Sequence, residues 1–126
     1  MFEITVEADF SAAHALSVAG IREPVHGHNW HVTVTLAGDE LDDDGLLCDF
    51  HTVHDALLGI VDEFDNRNLN DHPSFRENNP SAERLAMHIA HELTERVGAV
   101  LTPLARVSAV HVTEAPRCTA IYRPPA

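Results

Sequence analysis

His26-Gly27-His28 is the triplet with the clearest chemical potential in this chain. Residues two apart on an extended backbone project to the same side, so both imidazoles would face one point. Gly27 between them lets the backbone pack closely. His14 ends an earlier alternating segment. If the segment ending at His14 and the one opening at His28 pair antiparallel, their connecting ends lie side by side and three neutral imidazoles can converge. Three histidines suit zinc, and a three-ligand set leaves one coordination position for water or substrate. That vacancy is what a catalytic metal needs. The competing reading is an exposed or structural pair, because His-x-His occurs often by chance. Spacing alone leaves both open.

The remaining histidines have weaker patterns. His51 and His54, and His88 and His91, are three apart on predicted helices, but neither pair sits in His-Glu-x-x-His, and polar helix faces explain both. His31 has the opposite parity to His28 and should face away. His72 and His111 carry no motif. The acidic stretch Asp39 to Asp49 fails as a calcium loop, since His51 falls where a bidentate Glu belongs, and it reads as a solvated hairpin loop. No Gly-x-Ser-x-Gly elbow, Walker loop or dinucleotide turn is present. Cys48 and Cys118 have no activating neighbours and read as small buried residues.

The elements that must position these groups follow from periodicity. Phe2, Ile4, Val6, Ala8 and Phe10 alternate with polar residues, giving a half-buried strand that continues to His14, with room for a bulge at Ser11-Ala12-Ala13. A loop from Val18 to Pro24 follows. A second strand carries His28, Trp30, Val32, Val34 and Leu36 on one face and ends at Gly38. Asp49 caps a predicted helix to about Phe64. After a polar segment, Asn79-Pro80 signals a second helix whose stripe is Leu85, Ile89, Leu93 and Val97, ended by Gly98. Two strands, Arg106 to Glu114 and Arg117 to Arg123, close the chain. The order β-β-α-α-β-β predicts an α+β fold: one four-stranded antiparallel sheet with both helices on one face. The other face stays uncovered and the edges are long, so edge pairing between subunits is expected.

The 126 residues suit a single domain, 1–126, without disulfides. Twenty acidic residues against eight basic ones, all Arg, give a formal net charge of −12, which disfavours nucleic acid and anionic membrane as partners. No apolar run approaches a membrane span, and the N-terminal residues read as a strand and not a signal peptide, so a cytoplasmic location is expected.

Six pieces occur in order: Phe10-Ser11-Ala12-Ala13-His14, His26-Gly27-His28-Asn29-Trp30, Asp49-Phe50, Phe64-Asp65-Asn66-Arg67-Asn68-Leu69-Asn70, Asn79-Pro80-Ser81-Ala82-Glu83 and Val112-Thr113-Glu114. Together they resemble the 6-pyruvoyltetrahydropterin synthase and 6-carboxytetrahydropterin synthase family across nearly the whole chain. The resemblance implies the tunnelling fold (T-fold), β-β-α-α-β-β, with trimers that stack into a homohexamer. It implies Zn2+ held by His14, His26 and His28, a small-molecule pterin substrate of the 7,8-dihydroneopterin (triphosphate) type anchored by Glu114, and lyase chemistry by side-chain elimination or retro-aldol cleavage.

Two departures qualify that expectation. The position four residues before His26 holds Arg22 where the family usually has Cys. Glu23 instead fits a Glu-x-x-His-Gly-His variant and takes the role of general base. Asn66 stands where the family commonly has a proton-relaying His, leaving Asp65 without its partner, and Asn cannot relay a proton near neutral pH. The resemblance thus implies a catalytic pair of Glu23 and Asp65, and the variant resembles enzymes that release 6-hydroxymethyl-dihydropterin. The alternative is a zinc-containing pterin- or purine-binding homologue with impaired catalysis.

Overall fold

A computed structural model describes residues 1–126. Two long strands, β1 (Phe2–His14) and β4 (His26–Gly38), pair antiparallel without interruption from Phe2 opposite Gly38 to His14 opposite His26. The inward positions of β1 are Val6, Ala8, Phe10, Ala12 and His14, and those of β4 are Trp30, Val32, Val34 and Leu36, all buried. Residues 11–13, where the sequence leaves room for a bulge, pair regularly with β4. The irregularity lies at Thr35/Leu36, where β4 meets β6 (Arg106–Ala115). β7 (Cys118–Tyr122) completes that side of the sheet.

Two short hydrogen-bonded pieces extend the expected architecture. The loop after β1 contains a hairpin of β2 (Ser17–Val18) and β3 (Ile21–Arg22). Its two turn residues, Ala19 and Gly20, both take positive φ, the requirement of a tight primed turn, and Gly20 accommodates it without strain. Within the polar segment, β5 (Arg67–Asn68) runs parallel to Ala12–Ala13, so the main sheet has five strands in the order β5-β1-β4-β6-β7 and one parallel pairing. A two-residue strand carries no alternation, so nothing in its sequence could announce it.

Helices α1 (Phe50–Asp62) and α2 (Ala82–Leu101) cover one face. Asp49 caps α1 by accepting from the His51 N–H at 2.8 Å. The cap of α2 is Ser81, not Asn79, and the helix passes through Gly98 to Leu101 because Val97 and Leu101 continue the buried stripe. A single cluster of 27 buried residues joins the sheet to both helices, so one core serves the whole chain. Cys118 is exposed and Cys48 half-buried, contrary to the expectation that both are interior. No helix is long and apolar enough to cross a membrane.

The opposite sheet face is polar, and His31 lies on it as its parity requires. Its Nδ1 meets Asp9 at 2.6 Å and its Nε2 meets Glu7 at 2.8 Å, and these hydrogen bonds raise its pKa above the usual imidazole value.

Trp30 links this frame to the histidines. It is 1% exposed, stacks on Phe10 at 5.9 Å, and donates its indole N–H to the Ala12 carbonyl at 3.1 Å. Its ring faces the edges of His14 and His28 at 5.0 and 5.5 Å. Trp30→Phe leaves that carbonyl buried without a donor and opens a void beside the two imidazoles. We expect a loss of about 1–3 kcal/mol in urea unfolding. A change within about 0.5 kcal/mol would show that the indole bond carries no weight.

Candidate metal centre

The β1–β4 register places His14 directly across from His26, with His28 two residues further along the same face. Ring centroids are 4.7 Å apart for His14 and His26, 5.2 Å for His14 and His28, and 4.8 Å for His26 and His28. One ring nitrogen from each lies within 4.8 Å of the other two. His14 is wholly buried, while His26 opens to solvent.

Backbone carbonyls fix the tautomers. His14 Nδ1 lies 2.9 Å from the Pro80 carbonyl oxygen, and His26 Nδ1 lies 3.0 Å from that of Pro24. A carbonyl only accepts, so each Nδ1 must carry the proton and each Nε2 a lone pair in the neutral ring. This orientation of an imidazole by a second hydrogen bond is typical of metal-ligating histidines. The Nε2 atoms of His14 and His28 are buried with no hydrogen-bond partner.

Glu114 joins this cluster. It continues the inward parity of Val110 and Val112 on β6. Its Oε1 stands 3.2 Å from His14 Nε2 and 3.9 Å from His28 Nε2. The first approach is close but is not aligned as a hydrogen bond, which agrees with a lone pair and not a proton on His14 Nε2. Burial lowers the His28 pKa, outweighing the Glu114 charge that would raise it, so this ring favours the neutral, ligand-competent form. The Nε2 lone pairs of His14 and His26, the His28 ring and a carboxylate thus converge on one space. Such a space is electrostatically unfavourable when empty of charge and fits a divalent cation. His14, His26 and His28 are the residues that could hold it, and three imidazoles accept zinc, iron or nickel.

Glu23 lies at the rim. Its backbone N–H donates to the Leu16 carbonyl at 2.9 Å and its Oε1 accepts the Leu16 N–H at 2.9 Å, which closes the β2–β3 hairpin onto the end of β1. The same oxygen is 3.8 Å from His26 Nδ1. Asp65 is placed differently. Its Oδ1 accepts the Ser11 N–H at 2.9 Å, and the neighbouring Asn66 N–H donates to the Ser11 carbonyl at 2.6 Å, with Asn66 at φ 59°. The pair therefore acts as a splint on the edge of β1, three residues before His14, and forms no hydrogen bond with the imidazoles.

Sequence reasoning missed the parts that hold the site without a side chain of their own in it. The Pro24 and Pro80 carbonyls carry no signal in residue type. Asn70 and Asn79 do carry one. Each side chain bonds both backbone groups of one residue, Asn70 with Ala15 at 2.8 and 2.8 Å and Asn79 with Ser17 at 2.8 and 2.9 Å. Asparagines in a polar segment without turn glycines were the available clue to such strand-like clamps.

Residues 3–125 match the family model described as 6-pyruvoyl tetrahydropterin synthase. A 6-carboxy-5,6,7,8-tetrahydropterin synthase of Bacillus subtilis (strain 168) is 34% identical over 128 residues, covering 98% of this chain and 86% of that protein. A dihydroneopterin monophosphate aldolase of Pyrococcus furiosus is 31% identical over 94 residues, covering 75% and 76%. In fold, the chain is similar to the solved 6-pyruvoyl tetrahydropterin synthase of Caenorhabditis elegans, with a TM-score of 0.78 at 23% identity over 99% of this chain and 98% of that one.

The geometry yields a pH-dependent expectation. A ring whose pKa lies below 6.5 stays unprotonated as pH falls through that value, so protons displace the cation only at lower pH. In a zinc titration across pH, uptake should be lost on acidification as protons compete for the imidazoles. His28→Ala should cut zinc affinity by more than roughly 100-fold, beyond the effect of losing a mere supporting hydrogen bond. Unchanged affinity would remove His28 from the ligand set.

Proposed function

We propose that this chain, which belongs to the 6-pyruvoyl tetrahydropterin synthase family, is a zinc-dependent lyase acting on a 7,8-dihydroneopterin-type pterin. The observation that carries the proposal is the convergence of three imidazoles, two of them oriented by backbone carbonyls, and the Glu114 carboxylate on a single space. When held by His14, His26 and His28, zinc would polarise the hydroxyls of the pterin side chain and ease loss of their protons.

The chain's own residues supply the rest. Glu23 is the general base at the open side of the cluster, where His26 meets solvent. The hydrogen bond from the Leu16 N–H holds one of its oxygens in place. Glu114 anchors the ring, since a carboxylate can accept two parallel hydrogen bonds from an amino-pyrimidinone edge. That role requires it to turn from its resting place against His14. Asp65 is a positioning residue that keeps the end of β1 straight by holding Ser11.

Of the reactions open to such a diol, retro-aldol cleavage asks least of this residue set. Glu23 takes the proton of the hydroxyl on the second side-chain carbon. The bond between the first and second carbons breaks, leaving an aldehyde, and its electron pair enters the dihydropterin ring system. The proton returns to the first carbon and yields the hydroxymethyl pterin. One proton acceptor suffices, whereas routes to pyruvoyl or carboxy products need a second proton mover, and Asn66 cannot serve.

The polar sheet face and the free edges of β1 and β7 suit assembly of copies into a closed ring, and a homohexamer is the proposed form. A second reading, a pterin-binding protein without turnover, draws on the commitment of Asp65 to Ser11.

The deciding experiment incubates zinc-loaded protein with 7,8-dihydroneopterin, its monophosphate and its triphosphate, and identifies products by mass. A hydroxymethyl pterin is expected, and unreacted substrate throughout would favour the binding reading. Glu23→Gln should lower kcat by roughly 100-fold or more with zinc content unchanged. Intact turnover in that variant would show that Glu23 is not the base.

A further inference from the structure

His14 stands between two acceptors. The Pro80 carbonyl oxygen lies 2.9 Å from its Nδ1, and Glu114 Oε1 lies 3.2 Å from its Nε2. The residue is 1% exposed, so these two groups, and not bulk water, compete for its proton. A neutral imidazole has one N–H to give. The carboxylate is intrinsically the stronger acceptor, since a hydrogen bond to an ion is roughly twice as strong as one to a neutral carbonyl. The structure nevertheless favours the weaker one. Nδ1 is bonded to Pro80, while Nε2, although close to Glu114, has no aligned partner. Only this Nδ1–H tautomer leaves Nε2 with a lone pair for a cation.

The carbonyl that wins is mounted from both sides. Behind it, Ser81 caps α2 by accepting the Arg84 N–H at 3.2 Å, and the first bond of the helix ladder runs from the Leu85 N–H to the Ser81 carbonyl. The Pro80 carbonyl therefore lies just outside the ladder and is free for His14. Leu85, Ala86 and Ile89 anchor that end of the helix in the core. Ahead of it, Asn79 accepts the Ser17 N–H at 2.8 Å and donates to the Ser17 carbonyl at 2.9 Å. Ser17 follows His14 by three residues, so one end of the segment 79–80 grips the chain beyond His14 while the other meets its ring. Proline at position 80 fixes its own φ and disfavours a helical backbone at Asn79, which keeps the clasp extended.

We infer that Asn79 is a positioning residue of the metal centre: its clasp on Ser17 sets the Pro80 carbonyl against His14 Nδ1 and so keeps the His14 proton away from Nε2 and Glu114. Without the clasp, the carbonyl loses its alignment. The proton leaves Nδ1, Nε2 takes one up, and the new N–H donates to Glu114. The nitrogen that should bind a cation is then blocked. The role needs an amide, because Ser17 presents one donor and one acceptor and only Asn offers both partners at this reach. Asp keeps the acceptor and loses the donor. The inference rests on the assignment of His14 as a metal ligand and adds the control of its tautomer from the start of α2.

The first arm of the test reads the His14 tautomer in metal-free protein, from long-range proton–nitrogen correlation spectra of the ring, with circular dichroism as the check on folding. The wild type should carry the proton on Nδ1, and Asn79→Ala should move it to Nε2. Asn70→Ala removes a like clasp, from Ala15, but the residue after Asn70 places no carbonyl on an imidazole, so the tautomer should stay as in the wild type. A merely structural clasp would leave the tautomer alone in both variants. The second arm titrates zinc against a competing chelator. Affinity should fall about tenfold or more in Asn79→Ala. In a Glu114→Ala background the rival acceptor is gone, and adding Asn79→Ala should then cost less than about threefold. Should Asn79→Ala fail to fold, Asn79→Asp replaces it, with the same direction of change in both arms. An Nδ1–H tautomer that persists in the Asn79 variant overturns the inference, and so does an equal loss of zinc affinity with and without Glu114. A wild type that takes up no zinc removes the metal reading alone, and the tautomer spectra still decide the role of Asn79.

Discussion

The structure depends on one register. All 13 residues of β1 pair with β4 without a break, and this pairing sets His14 across from His26. Side-chain direction alternates along a strand, so a slip of one residue would turn His28 and Trp30 to the solvent face and bring Asn29 to the imidazoles. The slip is opposed by the buried row of Val32, Val34 and Leu36 on β4 and Val6, Ala8 and Phe10 on β1, which would turn outward with them. Hydrophobic burial far from the site is thus what aims the imidazoles. The splint of Asp65 and Asn66 on Ser11 and the clamps of Asn70 and Asn79 defend the same strand end where the sheet gives out.

The chemistry gathered there is uneven. Carbonyl bonds to Nδ1 of His14 and His26 leave their Nε2 atoms as acceptors, and Glu114 adds a negative charge beside them. A cation bound there would offset this gathering of acceptors and negative charge. The polar groups around the cluster divide by distance. Glu23 stands at the rim, and Asp65 supports from behind Ser11.

The long strands, the two helices and the histidine triad were legible in the sequence, because each rests on periodicity or on parity. Thirteen-residue strands with alternating burial and helices with a buried stripe leave that mark. The convergence of His14 with His26 and His28 followed from the antiparallel pairing of neighbouring strands. The parallel contact of β5 and the β2–β3 hairpin left no mark, because two residues cannot show a period. The end of α2 was misplaced because Gly98 resembles a stop signal, while the burial of Val97 and Leu101 outweighs the modest cost of a helical glycine. The role of Asp65 was the hardest to read. A carboxylate in a motif looks the same whether it meets substrate or a strand N–H, and only the fold distinguishes the two.

The central claim is that three imidazoles from two paired strands hold one cation. X-ray absorption at the zinc edge of the reconstituted protein tests it most directly. A first shell of three histidine nitrogens and one oxygen at about 2.0–2.2 Å is expected. A sulfur scatterer at about 2.3 Å, which would implicate Cys48 or Cys118, or a shell with fewer than three imidazoles, would contradict it.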